Sequence, residues 1–130
     1  MTSMDSSVAP TGKLTQQLVA MPKDTNPSGD IFAGWLIGQM DMAAATAASH
    51  VSKGRATTVV MERVEFLTPV VVGDQVSCYT ELIDTGRSSM KIRVEVYVTD
   101  AQSGLTRKVT ETVFIYVAIN ELGGIRELPN

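Results

Sequence analysis

Cysteine and histidine are almost absent from this 130-residue chain, which holds one of each, Cys78 and His50. A single cysteine excludes an internal disulfide and fits a reducing compartment, so a cytoplasmic location is expected. One histidine and one cysteine leave too few soft ligands for a closed zinc site. Aromatic residues make up only 5% of the chain, and its formal net charge is −3 with Lys and Arg scattered. Neither a nucleic-acid partner nor an anionic membrane surface is expected. The N-terminus has no basic stretch followed by an apolar one, so no secretory signal is read there. The longest apolar stretch is broken by Asp41, which argues against a membrane span.

What the chain does have is a change of period. Residues 1–12 are rich in Ser, Thr, Pro and Gly and read as a flexible tail ahead of a single domain over 13–130. "KLTQQLVAM" reads as a first strand, ended by Pro22. A long helix follows, with Asp30 as its expected N-cap and His50, Lys53 and Gly54 at its end. From Thr57 the period becomes two. In "RSSMKIRVEVYVTD", Met90, Ile92, Val94, Val96 and Val98 point one way and the polar residues between them the other. "TTVVMERVEF", "QVSCYTELID" and "TRKVTETVFIYVAI" are further strand candidates. The expected class is α+β: one long helix, thinned by Ala43, Ala44, Ala45, Ala47 and Ala48, with an antiparallel sheet of about five strands curved around it. Such a sheet has free edges, and edge-to-edge dimerisation completes it.

Asp41 is the anomaly. Its helical neighbours are Gly34, Ile37, Gly38, Ala44, Ala45 and Ala48, and no Lys or Arg occurs between Asp30 and Lys53. Neither helix propensity nor a local ion pair explains it. A carboxylate in such surroundings is a candidate acid or base. It is equally readable as a solvated group, or as one bonded to a distant backbone N–H or to an arginine of another chain. No G-x-S-x-G elbow, Walker loop or dinucleotide fingerprint is present. Cys78 lies in an apolar-alternating strand and reads as a structural thiol rather than half of a Cys–His dyad. Carboxylate and backbone groups remain, and they suffice for attack on an activated ester or thioester. The helix start near Phe32, Ala33 and Gly34 offers free N–H donors, but Gly34 is roughly 10 Å from Asp41 along the axis. A second chain running antiparallel across a two-fold axis brings them together.

"MPKDTNPSGDIFAGWLIGQMDMA" resembles the signature segment of YciA-like acyl-CoA thioesterases, a branch of the hot-dog fold. Similarity continues in "GRATTVVMERVEFLTPVVVGDQV", "GRSSMKIRVEV" and "GGIRELP", so it covers nearly the whole chain from Met21. The resemblance implies a long helix wrapped by a curved sheet, dimers with a continuous sheet, and a trimer of dimers. It implies hydrolysis of acyl-CoA to a free acid and CoA, with no metal or other cofactor. It puts the catalytic role on Asp41 and gives Asn26, from the neighbouring subunit, the positioning of water or thioester. The oxyanion N–H falls on Ala33 or Gly34, and Arg87, Ser88 and Ser89 lie near bound CoA. One departure is visible: the family usually reads Phe-Gly-Gly at the helix start, where this chain has Phe32-Ala33-Gly34. A non-catalytic acyl-CoA-binding domain of the same fold is the alternative. A hot-dog hydratase is disfavoured because His50 sits at the far end of the helix.

Overall fold

The computed structural model describes residues 9–130. Strand β1 (Lys13–Val19) leads through a 3-10 turn at Pro22–Asp24 into helix α1 (Ala33–Ser52). Four strands follow: β2 (Ala56–Met61), β3 (Gln75–Thr85), β4 (Ser89–Thr99) and β5 (Thr106–Ala118). All pairings are antiparallel, and the order across the sheet is β1-β3-β4-β5-β2. This is the hot-dog arrangement, with β4 at the centre and β1 and β2 at the two edges.

The alternation read in β4 is the core of the protein. Met90, Ile92, Val94, Val96 and Val98 have no exposed surface. Leu36, Met40, Ala43, Ala44 and Ala48 of α1 belong to the same buried cluster. The alanines let the helix axis sit close to the sheet. The outward face of β4 departs from the expected half-buried strand, because Glu95 and Tyr97 are buried as well. Glu95 takes hydrogen bonds from the Thr11 N–H (2.9 Å) and hydroxyl (3.0 Å) and pairs with Lys108 at 3.4 Å. Residues 1–8 of the expected tail lie outside the described residues.

Two boundaries differ from the reading of the sequence. The strand expected through Phe66 ends at Met61. Beyond it, the Thr112 hydroxyl serves the carbonyls of Glu62 (3.1 Å) and Arg63 (2.9 Å), and the Thr110 hydroxyl serves Glu65 (2.6 Å). Side-chain hydroxyls there supplement sparse backbone bonds, those of the Glu62 N–H to the Val113 carbonyl (2.9 Å) and of the Leu67 N–H to the Val109 carbonyl (2.8 Å). The helix starts at Ala33, with Phe32 rather than Asp30 at the N-cap position and no side-chain cap. At the other end Lys53 adopts the left-handed conformation (φ 56°) and closes the helix. Among the described residues no helix is long and apolar enough to cross a membrane.

Candidate active site

Asp41 lies in the third turn of α1, half-buried, over the β5–β2 edge of the sheet. Its partners come from a row that crosses three strands, in which Tyr116 of β5 pairs with Met90 of β4 and Thr58 of β2. The β2 ladder slips between Thr58 and Val60, a bulge of the kind that re-aims a side chain. The Thr58 hydroxyl donates to Asp41 Oδ1 at 2.8 Å. The buried Tyr116 hydroxyl reaches the Asp41 carbonyl oxygen at 2.7 Å and also Oδ1. Both hydroxyls thus converge on one carboxylate oxygen. Among the described residues Oδ2 has no hydrogen-bond partner. Burial, and then the bond to Asp41, hold the Tyr116 phenol above its ordinary range, so it stays a protonated donor.

The helix start is built by the loop before it. Asn26 Oδ1 accepts the N–H groups of Ser28 (2.9 Å) and Asp30 (3.1 Å), and the Asn26 N–H donates to the Asp30 carbonyl at 2.7 Å. The Asp30 backbone is thereby held in the loop, two residues ahead of the N-cap position at Phe32. Two backbone donors on Oδ1 leave the Asn26 side-chain NH2 as the free end of the amide. Leu36 is the first helical N–H to find a carbonyl, that of Phe32 at 3.2 Å. The N–H groups of the residues before it, Ala33 and Gly34 included, are open donors at the positive end of the helix. A methyl group added at Gly34 would meet nothing within 4 Å, so packing inside the chain does not require glycine there.

Asn26 and Ala33 line one cavity of about 240 Å³, together with Asp30, Phe66, Thr68 and the apolar residues around them. Asp41 is not in its wall. It lies eight residues along the helix from Ala33, about 12 Å. Within one chain, then, the expected site residues form two groups: Asn26, Ala33 and Gly34 at the helix start, and Asp41 with Thr58 and Tyr116 further along.

Arg87, Ser88 and Ser89 lie at the β3–β4 turn, closed by the Gly86 N–H on the Ser89 carbonyl at 2.9 Å. The Ala118 N–H holds the Ser88 carbonyl and the Leu128 N–H holds that of Arg87, each at 2.9 Å. Ser89 pairs with Val117, one step beyond the Tyr116 row, so Arg87 is about 10 Å past that row along the strand. Its guanidinium is exposed and makes no ion pair among the described residues. Cys78 is buried, and burial pushes its thiol up to about 12, which leaves it unreactive. Thr58 and Tyr116 were not read from the sequence. Their signal is only that both are hydroxyl residues on strands whose neighbours alternate.

The profile of the thioesterase superfamily matches residues 28–104, a span that includes Asp41 and the β3–β4 turn. The acyl-CoA thioester hydrolase YciA of Salmonella typhimurium is 46% identical, covering 99% of this chain and 98% of that one. The YciA of Escherichia coli is 45% identical over 92% of this chain and 93% of its own. Among solved structures, a hexameric thioesterase from Yersinia pestis superposes with a TM-score of 0.90 at 47% identity, covering 94% of this chain and 99% of that one. A hexameric broad-specificity acyl-coenzyme A thioesterase superposes with a TM-score of 0.92 at 42% identity, covering 97% and 88%. The fold, the long profile match and near-full-length identity agree, and the chain belongs to the thioesterase superfamily, on its branch of YciA-like acyl-CoA thioester hydrolases.

Proposed function

We propose that this protein hydrolyses acyl-CoA to a free carboxylic acid and CoA without a metal, with the Asp41 carboxylate as general base or nucleophile at an interface between two copies of the chain. The observation that carries the reading is the carboxylate itself, fixed through Oδ1 by Thr58 and Tyr116 with Oδ2 unengaged. As a base, Oδ2 takes a proton from water as the water oxygen bonds to the thioester carbon. The carbonyl oxygen becomes an oxyanion, held by the N–H of Ala33 or Gly34 and by the Asn26 NH2. Collapse re-forms the carbonyl and breaks the C–S bond, and the proton passes from Asp41 to the departing sulfur. As a nucleophile, Oδ2 attacks the thioester carbon and the C–S bond breaks with release of CoA thiolate; water then cleaves the resulting anhydride to the free acid and the restored Asp41 carboxylate.

The need for a second copy follows from the 12 Å between the two groups of residues. Strand β2 is an edge whose Val59, Val60 and Met61 are exposed, and it adjoins Thr58 and Asp41. The open space at Gly34 and Gly38 gives the helix a flat face that a second helix can approach. Pairing of β2 edges across a two-fold axis gives each dimer two sites, and three such dimers give a hexamer, the state named for the relatives of known structure. Arg87, Ser88 and Ser89 bind the phosphates of CoA; a guanidinium free of carboxylate partners suits that role. A buried free thiol fits a reducing compartment, and the cytoplasm is the proposed location.

The test is thiol release from short, medium and long acyl-CoAs. Wild-type turnover that persists after dialysis against a chelator and is lost in Asp41→Ala at unchanged oligomeric state is expected. Asp41→Ala co-expressed with Asn26→Asp should regain about a quarter of wild-type activity, because mixed dimers hold one intact site in two. Binding of acyl-CoA with no wild-type turnover would instead support the non-catalytic reading.

A further inference from the structure

We infer that Arg126 is a positioning residue for CoA binding: its guanidinium ties the segment after β5 to the end of helix α1, and that segment holds the Arg87 turn. This rests on the assignment of Arg87, Ser88 and Ser89 to CoA above and adds what keeps them in place. After β5 the chain reverses at residues 120–124, where the Asn120 N–H donates to the Gly124 carbonyl at 2.7 Å and Gly123 takes a φ of 88°. It then runs back antiparallel, with Ile125 beside Ile119. The Arg126 N–H donates to the Ala118 carbonyl at 3.0 Å, and the Leu128 N–H to that of Arg87 at 2.9 Å. Among the described residues Leu128 is the only backbone donor on the Arg87 carbonyl. β5 itself ties the turn only at Ser88, through the Ala118 N–H. The placement of Arg87 therefore depends on the returning segment.

Apolar packing holds that segment only weakly. Ile125 is 71% exposed, and Leu128 alone packs against the buried cluster, partly buried itself. The Arg126 side chain supplies the firmer hold, because it reaches three carbonyls in three parts of the fold. Its Nε donates to Ile119 at 2.8 Å, Nη1 to Ser52 at 2.9 Å and Nη2 to Arg55 at 3.1 Å. Ser52 is the last residue of α1, where carbonyls lack helical donors and the dipole is negative. A planar fork suits divergent carbonyls in a way that a lysine's point charge does not. No carboxylate competes for it, since Arg126 makes no ion pair among the described residues. Gly54 makes room for the fork. A Cβ there would stand 2.7 Å from Arg126 Nη2, although the Gly54 φ lies outside the left-handed region and the backbone does not demand glycine.

The experiment compares kcat/KM for an acyl-CoA with that for the matching acyl-pantetheine thioester, which carries the same acyl group and no phosphate, beside the Kd of CoA. The proteins are wild type, Arg87→Ala, Arg126→Met and Gly54→Ala. Arg87→Ala should lower the ratio of acyl-CoA to acyl-pantetheine kcat/KM by about 10- to 100-fold, the loss of one charge-assisted hydrogen bond. Arg126→Met should lower it toward the smaller end of that range, through KM rather than kcat, with the Kd of CoA rising in step. Gly54→Ala keeps the arginine but displaces its fork, and should move ratio and Kd in the same direction; it decides the matter if Arg126→Met does not fold. An arginine that served stability alone would lower both substrates alike. A ratio and Kd unmoved in Arg126→Met and Gly54→Ala, beside a fallen ratio in Arg87→Ala, overturn the inference. A ratio unmoved in Arg87→Ala overturns the assignment of the turn to CoA, and the inference with it. In a wild type that binds CoA without turnover, the Kd values uphold or overturn the inference by the same comparison.

Discussion

Replacing Asn26 by aspartate separates two jobs that this side chain combines. Its Oδ1 accepts the Ser28 and Asp30 N–H groups at 2.9 and 3.1 Å and so shapes the loop ahead of the helix. Its NH2 is the end proposed to donate to the thioester carbonyl. Aspartate keeps an acceptor for both backbone donors, in charge-assisted form. It removes the donor and places a negative charge where an oxyanion must form. Asn26→Ala removes both functions, and losing two hydrogen bonds of about 1 kcal/mol each should destabilise the fold by about 2 kcal/mol. Loss of one oxyanion donor typically lowers kcat by about 10²–10³. Asn26→Asp should therefore melt close to the wild type yet lose at least that factor in kcat, and Asn26→Ala should lose both stability and rate. Thermal unfolding and steady-state thiol release on the same preparations decide it. If Asn26→Asp keeps kcat within about threefold, the amide donates nothing to the reaction and Asn26 only shapes the turn.

Two further outcomes follow from the hydrogen bonds. Tyr116→Phe leaves Asp41 Oδ1 to Thr58 alone and should lower kcat by about 10- to 100-fold through loss of orientation, with KM unchanged because Tyr116 contacts Asp41 rather than CoA; an unchanged kcat would refute the positioning role. For Glu95, burial raises the carboxyl, but the Thr11 N–H and hydroxyl and Lys108 outweigh it and hold the group below its ordinary 4.5. A value lower in the folded state means that this contribution is complete above the unfolded value and is lost as pH falls through the folded one. The melting-temperature advantage of wild type over Glu95→Gln should accordingly be constant near neutrality and shrink below about pH 4.5, and a difference independent of pH down to 3 would sink the argument.

The parts of the fold that were legible are those where one residue's fate follows from its neighbours in sequence. β4 alternates strictly over Met90–Val98, and its inward set is fully buried. The long alanine-rich helix was equally plain. Long-range partners were not legible. Nothing near Asp41 in sequence announces hydroxyls from 17 and 75 residues away. The burial of Glu95 and Tyr97 depends on what covers the outer face, for Glu95 on Thr11 and Lys108, and the two-residue period is silent about that. The helix start was misread at Asp30 because a polar residue ahead of an apolar run reads as a cap, whereas here the Asp30 backbone is held in the Asn26 loop, two residues before the N-cap position at Phe32.

A carboxylate placed in a helix for structure alone should use both of its oxygens. An Asp inside a helix costs up to about 0.7 kcal/mol in propensity relative to alanine, and partial burial without a cation adds to that. Hydrogen bonds to a charged acceptor contribute about 1.5–3 kcal/mol each, so two of them offset the cost with a margin. Stability alone would be served as well by spreading them over Oδ1 and Oδ2, or by alanine, which matches the neighbouring helix positions. Instead Thr58 and Tyr116 crowd onto Oδ1, and a β-bulge re-aims the chain beside Thr58. The same asymmetry recurs at Asn26, where two donors occupy the oxygen and the NH2 is left over. In both residues the fold grips one end of a planar group and presents the other. Under the function proposed above, that arrangement orients a proton acceptor at Asp41 and a hydrogen-bond donor at Asn26 while leaving each free to meet the substrate, a reason for the mid-helix carboxylate that packing does not supply.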